Sequence, residues 1–127
     1  MPTVLAIDDA PLVLTVIKRV FSLRHITAVC CGSAASAIVH LAGGLDPDLL
    51  LVDWKLSDGM DGIAFYLYVE KHYPKLIDRF VMLSAYDWND NADAKKFVEA
   101  TGCRWFMKPT VGSAAIWMDG LRGERKG

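Results

Sequence analysis

The chain has 127 residues and a hydrophobic fraction of 53%, which suits a single domain with one hydrophobic core and excludes a disordered chain. Its 14 Lys and Arg residues nearly balance its 15 Asp and Glu residues, so the formal net charge is -1. No overall electric field therefore selects nucleic acid or an anionic membrane as a partner.

The longest apolar runs, such as residues 49–52, are strand-sized and far shorter than the roughly 18 residues of a membrane span. The N-terminal segment lacks the basic start and apolar stretch of a secretory signal. Cys30, Cys31 and Cys103 are odd in number and two are adjacent, which argues against a disulfide framework or a metal site. These features favour a cytoplasmic protein.

Along the chain, short apolar runs alternate with longer segments of helical periodicity. The runs predict strands at residues 3–7, 26–31, 49–52, 80–83 and 104–107. The periodic segments predict helices from 11 to about 24, from a cap at 33 to about 42, from about 63 to 72, from 89 to about 100 and from 113 to 121. Five strands that alternate with five helices predict an α/β fold with an open, doubly wound parallel sheet. We expect one domain over residues 1–122, followed by a polar tail or linker stub at residues 123–127.

Some of the predicted helix boundaries carry characteristic residues. Pro11 suits a first turn, Ser33 suits an N-cap, and Gly102 suits a helix end. The first helix is predicted to bury one face, formed by Leu12, Val16, Val20 and Leu23.

Polar residues follow four of the five predicted strands, at the edge where open α/β sheets bind ligands. Asp8 and Asp9 follow the first strand, Asp53 the third, Ser84 the fourth and Lys108 the fifth. Three neighbouring carboxylates would repel one another unless a cation lay among them, and an oxygen-preferring ion such as Mg²⁺ meets that need. Cations on two sides of Asp53 would suit the oxygens of a phosphoryl group in transfer.

Taken singly, each of these residues has an ordinary structural role. An acidic pair commonly caps a helix, a serine commonly forms a turn, and a lysine commonly lies at the surface. Their joint placement at successive strand ends is much harder to attribute to chance.

The motifs around these residues resemble those of the receiver domains of bacterial two-component response regulators, over essentially the whole chain. The motifs are Ile7-Asp8-Asp9, Leu51-Val52-Asp53-Trp54, Met60-Asp61-Gly62, Ser84-Ala85 and Lys108-Pro109. The resemblance implies a flavodoxin-like (βα)5 fold with strand order 2-1-3-4-5. It also implies a signalling switch rather than an enzyme. The domain would catalyse only its own phosphorylation and its slow dephosphorylation.

By this resemblance Asp53 would accept a phosphoryl group from a sensor histidine kinase or a histidine phosphotransfer protein. Mg²⁺ would be held by Asp8, by Asp9 more directly, by the Asp53 carboxylate and by the backbone carbonyl of Lys55. Positioning and charge neutralisation would then account for most of the catalysis.

The resemblance also implies how the phosphoryl group is bound and sensed. The Ser84 hydroxyl would donate a hydrogen bond to one phosphoryl oxygen, and Lys108 would pair with another. The peptide bond that precedes Pro109 would be cis, which would direct Lys108 inward. As the switch responds, Ser84 would move toward the phosphate and Trp105 would turn in behind it. Trp105 departs from the Tyr or Phe more frequent there, and its larger indole needs a partner for the N–H if it is buried.

The implied output surface is the face formed by helix 4, strand 5 and helix 5, which would contact an output domain or a partner protein, or form a homodimer. We expect no direct nucleic-acid contact and no membrane contact from this segment. The region is rich in aromatic residues, which favours a protein interface, although core packing explains some of them equally well. They are Tyr86, Trp88, Trp105 and Trp117.

Two positions bear on how long a phosphoryl group would last. Lys55 lies two residues after Asp53, and Tyr86 lies two residues after Ser84. By the resemblance both flank the path of the attacking water, so a long cation and a bulky phenol there predict slow loss of phosphate. The loop at residues 55–60 lacks the frequent proline and is about a residue longer, which loosens the expected geometry near the metal.

Other interpretations remain open at this point. A haloacid-dehalogenase-type phosphatase also uses an aspartate nucleophile with Mg²⁺, but it needs a second aspartate two residues after the nucleophile, where this chain has Lys55. A docking module that kept the fold and works without phosphorylation is a second alternative. The sequence does not decide between a stand-alone receiver and a fragment of a longer regulator.

Overall fold

The computed structural model describes residues 3–56 and 59–108 of the chain. The strands and α-helices are β1 (Thr3–Ile7), α1 (Pro11–Ser22), β2 (Thr27–Cys31), α2 (Ala34–Ala42), β3 (Leu49–Asp53), α3 (Gly62–His72), β4 (Phe80–Ser84), α4 (Ala92–Thr101) and β5 (Arg104–Met107). Two short 3₁₀ helices, at Pro74–Arg79 and Trp88–Asp90, complete the described elements. The helix predicted at 113–121 with Trp117, the predicted tail, and Pro109 with the peptide bond before it lie outside the described residues.

The five strands form one parallel sheet in the order β2-β1-β3-β4-β5, which confirms the expected strand order. In the register of the sheet, Ile7 lies beside Val52, and Asp53 lies beside Leu83. The strands β3 and β4 are buried along their whole length, as continuous apolar runs in a parallel sheet should be. The carboxyl ends of β1, β3, β4 and β5 therefore meet at one edge.

Helices cover both faces of the sheet, which confirms the doubly wound architecture. On one face, Ile17 and Phe21 of α1 pack against a layer that includes Leu51 and Val81. The other face is covered by α2, α3 and α4, which contribute apolar side chains to a second core cluster. That cluster includes Ala37, Leu41, Phe65, Val69 and Phe97.

The buried face predicted for the first helix was wrong at its two ends, whereas Val20 of that face packs against the core as predicted. Leu12 and Leu23 are 81% and 69% exposed, whereas Ile17 and Phe21 are buried. Since Phe21 lies four residues after Ile17, these two stack on one side of the helix, about one residue out of step with the predicted face. The helix also ends at Ser22 rather than near Arg24, and Leu23 is its C-cap.

The start predicted for the fourth helix, at Asn89, was also wrong. A 3₁₀ helix comes first, and α4 begins at Ala92 after Asn91, whose side-chain oxygen accepts hydrogen bonds from the N–H groups of Asp93 and Ala94 at 3.0 Å. Several Asp and Asn residues in this segment can cap a helix, so the sequence does not single one out. Gly102 ends α4 with a φ of 68°, as predicted.

Other boundaries agree more closely with the prediction. Ser33 is the N-cap of α2, with its side chain accepting a hydrogen bond from the N–H of Ser36. The strand β2 starts at Thr27 instead of Ile26. Within the described ranges, no helix is long and apolar enough to cross a membrane.

Candidate functional site

The three predicted carboxylates lie together at the ends of β1 and β3. Asp8 is fully buried, Asp53 is almost fully buried, and Asp9 is exposed. One carboxylate oxygen from each comes within 4.8 Å of the others. One oxygen of Asp8 accepts a hydrogen bond from the N–H of Ala10 at 2.8 Å, which fixes the carboxylate at the entry to α1. The strand-end prediction for these residues therefore corresponds to a real cluster.

Lys108 follows β5 and supplies the positive charge of the cluster. Its ammonium lies 2.9 Å from Oδ2 of Asp8 and 3.2 Å from Oδ1 of Asp53. Burial alone lowers the pKa of this ammonium, but its ion pair with Asp8 and the nearby charge of Asp53 outweigh that effect and raise the pKa. Lys108 therefore stays charged between the two carboxylates.

Asp53 is held in an environment that resists ionisation. Burial raises its pKa to about 6, the charge of Asp8 adds to the rise, and Lys108 opposes it. The backbone N–H of Lys55 also donates to Oδ1 of Asp53 at 3.3 Å, which favours the charged form. A further cation beside Asp53 would stabilise the ionised form of its carboxyl group.

The acidic cluster fits a hard divalent cation. Three carboxylates bring one oxygen each within 4.8 Å of one another, and the Lys108 ammonium contacts two of them, Asp8 and Asp53. Oδ2 of Asp8 is buried and has an ion pair with Lys108, but among the described residues it has no partner with hydrogen-bond geometry. Buried carboxylate oxygens of this kind are the ligands that Mg²⁺ prefers.

Ser84 closes the site on the β4 side. It is 2% exposed, and its hydroxyl oxygen accepts a hydrogen bond from the backbone N–H of Tyr86 at 3.1 Å. Because a hydroxyl can accept and donate at once, its proton remains available to another acceptor. A cavity of about 160 Å³ joins Ser84 to the carboxylates, and its lining consists of Asp9, Asp53, Trp54, Lys55, Ser84, Ala85, Tyr86 and Lys108.

Trp105 is half-buried, and its indole N–H has the hydrogen-bond partner that it requires. The N–H donates to the backbone carbonyl of Tyr86 at 3.1 Å. The ring centroids of Trp105 and Trp54 are 4.9 Å apart, and Trp54 also packs against Phe97 of α4 at 5.7 Å. The sequence indicated that the indole needs an acceptor but not which one, since a backbone carbonyl leaves no mark in the residue pattern.

Gly62 is a feature of the site whose role the sequence did not reveal. A Cβ atom at this position would lie 2.7 Å from the carbonyl oxygen of Asp53, 3.0 Å from that of Trp54 and 2.9 Å from the sulfur of Met82. The carboxylate of Asp61 caps the helix by accepting from the N–H of Ala64 at 2.8 Å. Gly62 therefore lets α3 start in direct contact with the backbone that carries Asp53. The only indication in the sequence was its place in the Met60-Asp61-Gly62 motif.

Comparisons with known proteins agree with this geometry. The family model described as "Response regulator receiver domain" matches residues 4–114. The chain therefore belongs to the response-regulator receiver family, and it is a signalling receiver of two-component systems rather than a conventional enzyme. Receivers bind Mg²⁺ at an acidic pocket and work with kinases or phosphotransfer proteins, and the described part of this chain holds a cluster of three aspartates.

A curated relative, the nitrate/nitrite response regulator protein NarL of Escherichia coli (strain K12), is 40% identical over 62 residues. The match covers 48% of this chain and 28% of NarL, so it spans less than a third of that relative. Among solved structures, the chemotaxis response regulator CheY4 of Vibrio cholerae has a TM-score of 0.80 at 18% identity, covering 98% of this chain and 99% of CheY4. At that identity the similarity establishes the CheY-like flavodoxin fold alone.

A second solved structure, of two RcsB dimers bound to two parallel DNAs, has a TM-score of 0.75 at 21% identity. It covers 99% of this chain and 62% of the RcsB chain. The dimers and the DNA contact belong to RcsB, whose chain extends beyond the matched part. For the present chain this similarity again supports the fold.

Proposed function

We propose that this chain is a phosphorylation-activated switch in which Asp53 accepts a phosphoryl group from a histidine kinase or a histidine phosphotransfer protein. The observation that carries the proposal is the position of the Lys108 ammonium, 3.2 Å from a nearly buried Asp53 and 2.9 Å from Asp8. A fixed cation beside a carboxylate at the end of a central strand suits a phosphoryl acceptor better than a structural ion pair at the surface.

In the proposed reaction, a carboxylate oxygen of Asp53 forms a bond to phosphorus while the bond from phosphorus to the donor imidazole nitrogen breaks. The imidazole leaves with the electron pair. Lys108 stabilises negative charge on the transferred group, and the Ser84 hydroxyl donates a hydrogen bond to one phosphoryl oxygen. Both groups already line the cavity that contains Asp53, so little rearrangement is needed.

Asp8, Asp9, Asp53 and the backbone carbonyl of Lys55 would hold Mg²⁺. When bound, the ion supplies positive charge that offsets the carboxylates and the phosphoryl oxygens. Burial and the charge of Asp8 raise the pKa of Asp53 to about 6, so without the ion part of the acceptor is protonated in mildly acidic solution. Because the ion would supply positive charge beside Asp53 and the incoming phosphoryl oxygens, its removal by a chelator is expected to suppress phosphorylation.

The proposed output acts through Ser84 and Trp105 on the face of helix 4, strand 5 and helix 5. Met107 of β5 is 53% exposed on this face, and Tyr86, in the loop between β4 and α4, is 46% exposed. Such side chains suit a protein partner, which would be an output domain, a separate protein or a second copy. The fifth helix, the domain limits at residues 1–122 and the cytoplasmic location stay predictions.

The test is to incubate the protein with Mg²⁺ and acetyl phosphate and to measure its intact mass. We expect the wild type to gain one phosphoryl group and the Asp53→Asn variant to gain none. Asp46→Asn is the matched control, because Asp46 is an exposed aspartate paired with Arg79 outside the acidic cluster, and it should be phosphorylated normally. If the wild type takes phosphate neither from acetyl phosphate nor from a phosphohistidine donor, the proposal is wrong and a phosphorylation-independent docking module is favoured.

A further inference from the structure

The peptide group between Trp54 and Lys55 is hydrogen-bonded at both of its ends. The carbonyl oxygen of Trp54 accepts from the N–H of Gly62, the first residue of α3, at 3.3 Å. The N–H of Lys55 donates to Oδ1 of Asp53 at 3.3 Å. Because a peptide group is planar and stiff, a movement of its carbonyl also moves its N–H. This one peptide therefore joins the start of α3 to the carboxylate of Asp53.

The first turn of α3 is held by its N-cap residue, Asp61. The first N–H groups of a helix lack partners within that helix. Here the carboxylate of Asp61 accepts from the N–H of Ala64 at 2.8 Å, and its backbone carbonyl accepts from the N–H of Phe65 at 3.0 Å. The N–H of Gly62, in the same turn, donates outward to Trp54. The direction of that N–H thus depends on a turn that Asp61 fixes.

This turn also packs closely on the end of β3. Gly62 is buried, and a Cβ atom on it would lie 2.7 Å from the carbonyl oxygen of Asp53 and 3.0 Å from that of Trp54. Asp61 itself is exposed, and it is not a member of the cluster of three aspartates. The route that these contacts provide from Asp61 to the acceptor is therefore the backbone of α3 and the end of β3.

We propose that Asp61 is a positioning residue of the acceptor site, whose capping carboxylate holds the first turn of α3 and, through that turn, the direction of the Asp53 carboxylate. It acts without touching the transferred group. Loss of the cap lets the turn fray and weakens the bond from Gly62 to Trp54, so that the N–H of Lys55 is no longer directed at the acceptor. An asparagine at position 61 keeps an oxygen that caps the turn, whereas an alanine keeps none.

The proposed magnesium site gives this positioning a consequence for the reaction. Lys55 carries both the N–H that is bonded to Asp53 and the backbone carbonyl proposed to hold Mg²⁺. When the first turn of α3 frays, both groups lose their fixed direction, so the affinity for the ion should fall. This consequence rests on the proposed function, whereas the positioning of Asp53 by α3 does not.

The positioning is tested by amide hydrogen exchange of the metal-free, unphosphorylated protein, followed by NMR. In Asp61→Ala the amide of Lys55 should exchange about five-fold faster than in the wild type, as loss of one hydrogen bond allows. The amide of Leu51, within β3, reports any change in overall stability and is used to correct for it. An unchanged corrected rate for Lys55 would overturn the proposal.

Two further variants separate this cap from its charge and from helix capping in general. Asn91→Ala is the matched control, because Asn91 is the N-cap of α4 and accepts from the N–H groups of Asp93 and Ala94 at 3.0 Å. It should leave the amide of Lys55 unchanged, and a faster rate there would contradict a specific role of Asp61. Asp61→Asn should keep the wild-type rate, and a rate as fast as that of Asp61→Ala would refute the capping route. If Asp61→Ala does not fold, Asp61→Gly removes the carboxylate with a smaller loss of stability and takes its place.

The link to the reaction is tested by titration with Mg²⁺, with tryptophan fluorescence as the signal, since Trp54 adjoins the acceptor. Asp61→Ala should bind Mg²⁺ about three- to ten-fold more weakly than the wild type and Asn91→Ala. Equal affinities would contradict the link. If the wild type binds no Mg²⁺ or takes no phosphate from acetyl phosphate, the proposed function fails, and the exchange experiment still decides whether Asp61 positions Asp53.

Discussion

Asp53 is the residue on which opposing interactions converge. Burial and the neighbouring Asp8 disfavour its charge, while Lys108 and the N–H of Lys55 favour it. The balance leaves its pKa at about 6, above its value in an unfolded chain. The acceptor is therefore ionised at neutral pH at a cost in stability, and that cost is a measurable property of the site.

Replacement of Asp53 by Asn should stabilise the Mg²⁺-free protein at neutral pH. Between pH about 4 and about 6, Asp53 is protonated in the folded state but ionised in the unfolded chain. The free energy of unfolding therefore falls as pH rises through that range. The Asn side chain removes this loss, which should raise the free energy of unfolding by about 1–3 kcal/mol at neutral pH and by little at pH about 4. Urea unfolding at both pH values measures it. An equal effect at the two pH values would contradict the assigned cause.

Lys55 and Tyr86 are expected to slow the loss of phosphate by shielding it from water. Both line the cavity with Asp53, and both side chains are exposed enough to cover its mouth. The double substitution Lys55→Ala and Tyr86→Ala should speed hydrolysis by about three- to ten-fold, since removing water-excluding groups eases the approach of the nucleophile. The decay of phosphorylated protein, followed by intact mass, measures the rate. Lys95→Ala, an exposed lysine of α4, is the control, and a rate like that of the control would show that neither residue shields the site.

At the residue scale, the sequence was sufficient to predict which groups meet but not how they are held. Asp8, Asp53 and Ser84 could be placed together because parallel strands deliver their ends to one edge. The hydrogen bonds through the Tyr86 peptide could not be predicted, since they depend on backbone direction after β4.

Among the elements, α3 makes the most demanding contact with the site because its first residue, Gly62, touches the backbone of Asp53. Gly62→Ala would place a methyl group within 2.7 Å of the Asp53 carbonyl oxygen, so the strand or the helix has to move. We expect a loss of about 1–3 kcal/mol in the free energy of unfolding, as overpacked sites show. Gly32→Ala is the matched control, because nothing lies within 4 Å of a Cβ there. Equal stability of the two variants in urea would rule out the close approach.

The elements also show where sequence patterns stop being informative. Strands were predicted to within one residue because buried parallel strands read as continuous apolar runs. The face of α1 was assigned wrongly at its two ends because apolar residues occur on several sides of that helix, and the pattern does not indicate which of them meets the sheet. As a result, Leu12 and Leu23 were predicted to be buried but are exposed. The start of α4 was missed because Asn91 competes with other capping residues nearby.

At the scale of the whole molecule, the sheet order explains why one edge carries the chemistry. With β1 between β2 and β3, and β4 and β5 following, the ends of β1 and β3 are neighbours, and Lys108 at the end of β5 reaches across β4 to both. Two core clusters, one on each face, hold these strand ends in place. Asp8 and Asp53 are thus buried at the ends of packed strands, while Tyr86 and Met107 expose apolar surface.

The most direct test of Asp53 as the acceptor is to locate the phosphoryl group. The protein would be phosphorylated with acetyl phosphate and Mg²⁺ and then treated with borohydride, which reduces an aspartyl phosphate to homoserine, before peptide mass mapping. We predict homoserine at position 53, and none there when a chelator removes the Mg²⁺ before acetyl phosphate is added. Reduction at another aspartate, or none in the presence of Mg²⁺ and a phosphohistidine donor, would contradict Asp53 as the acceptor.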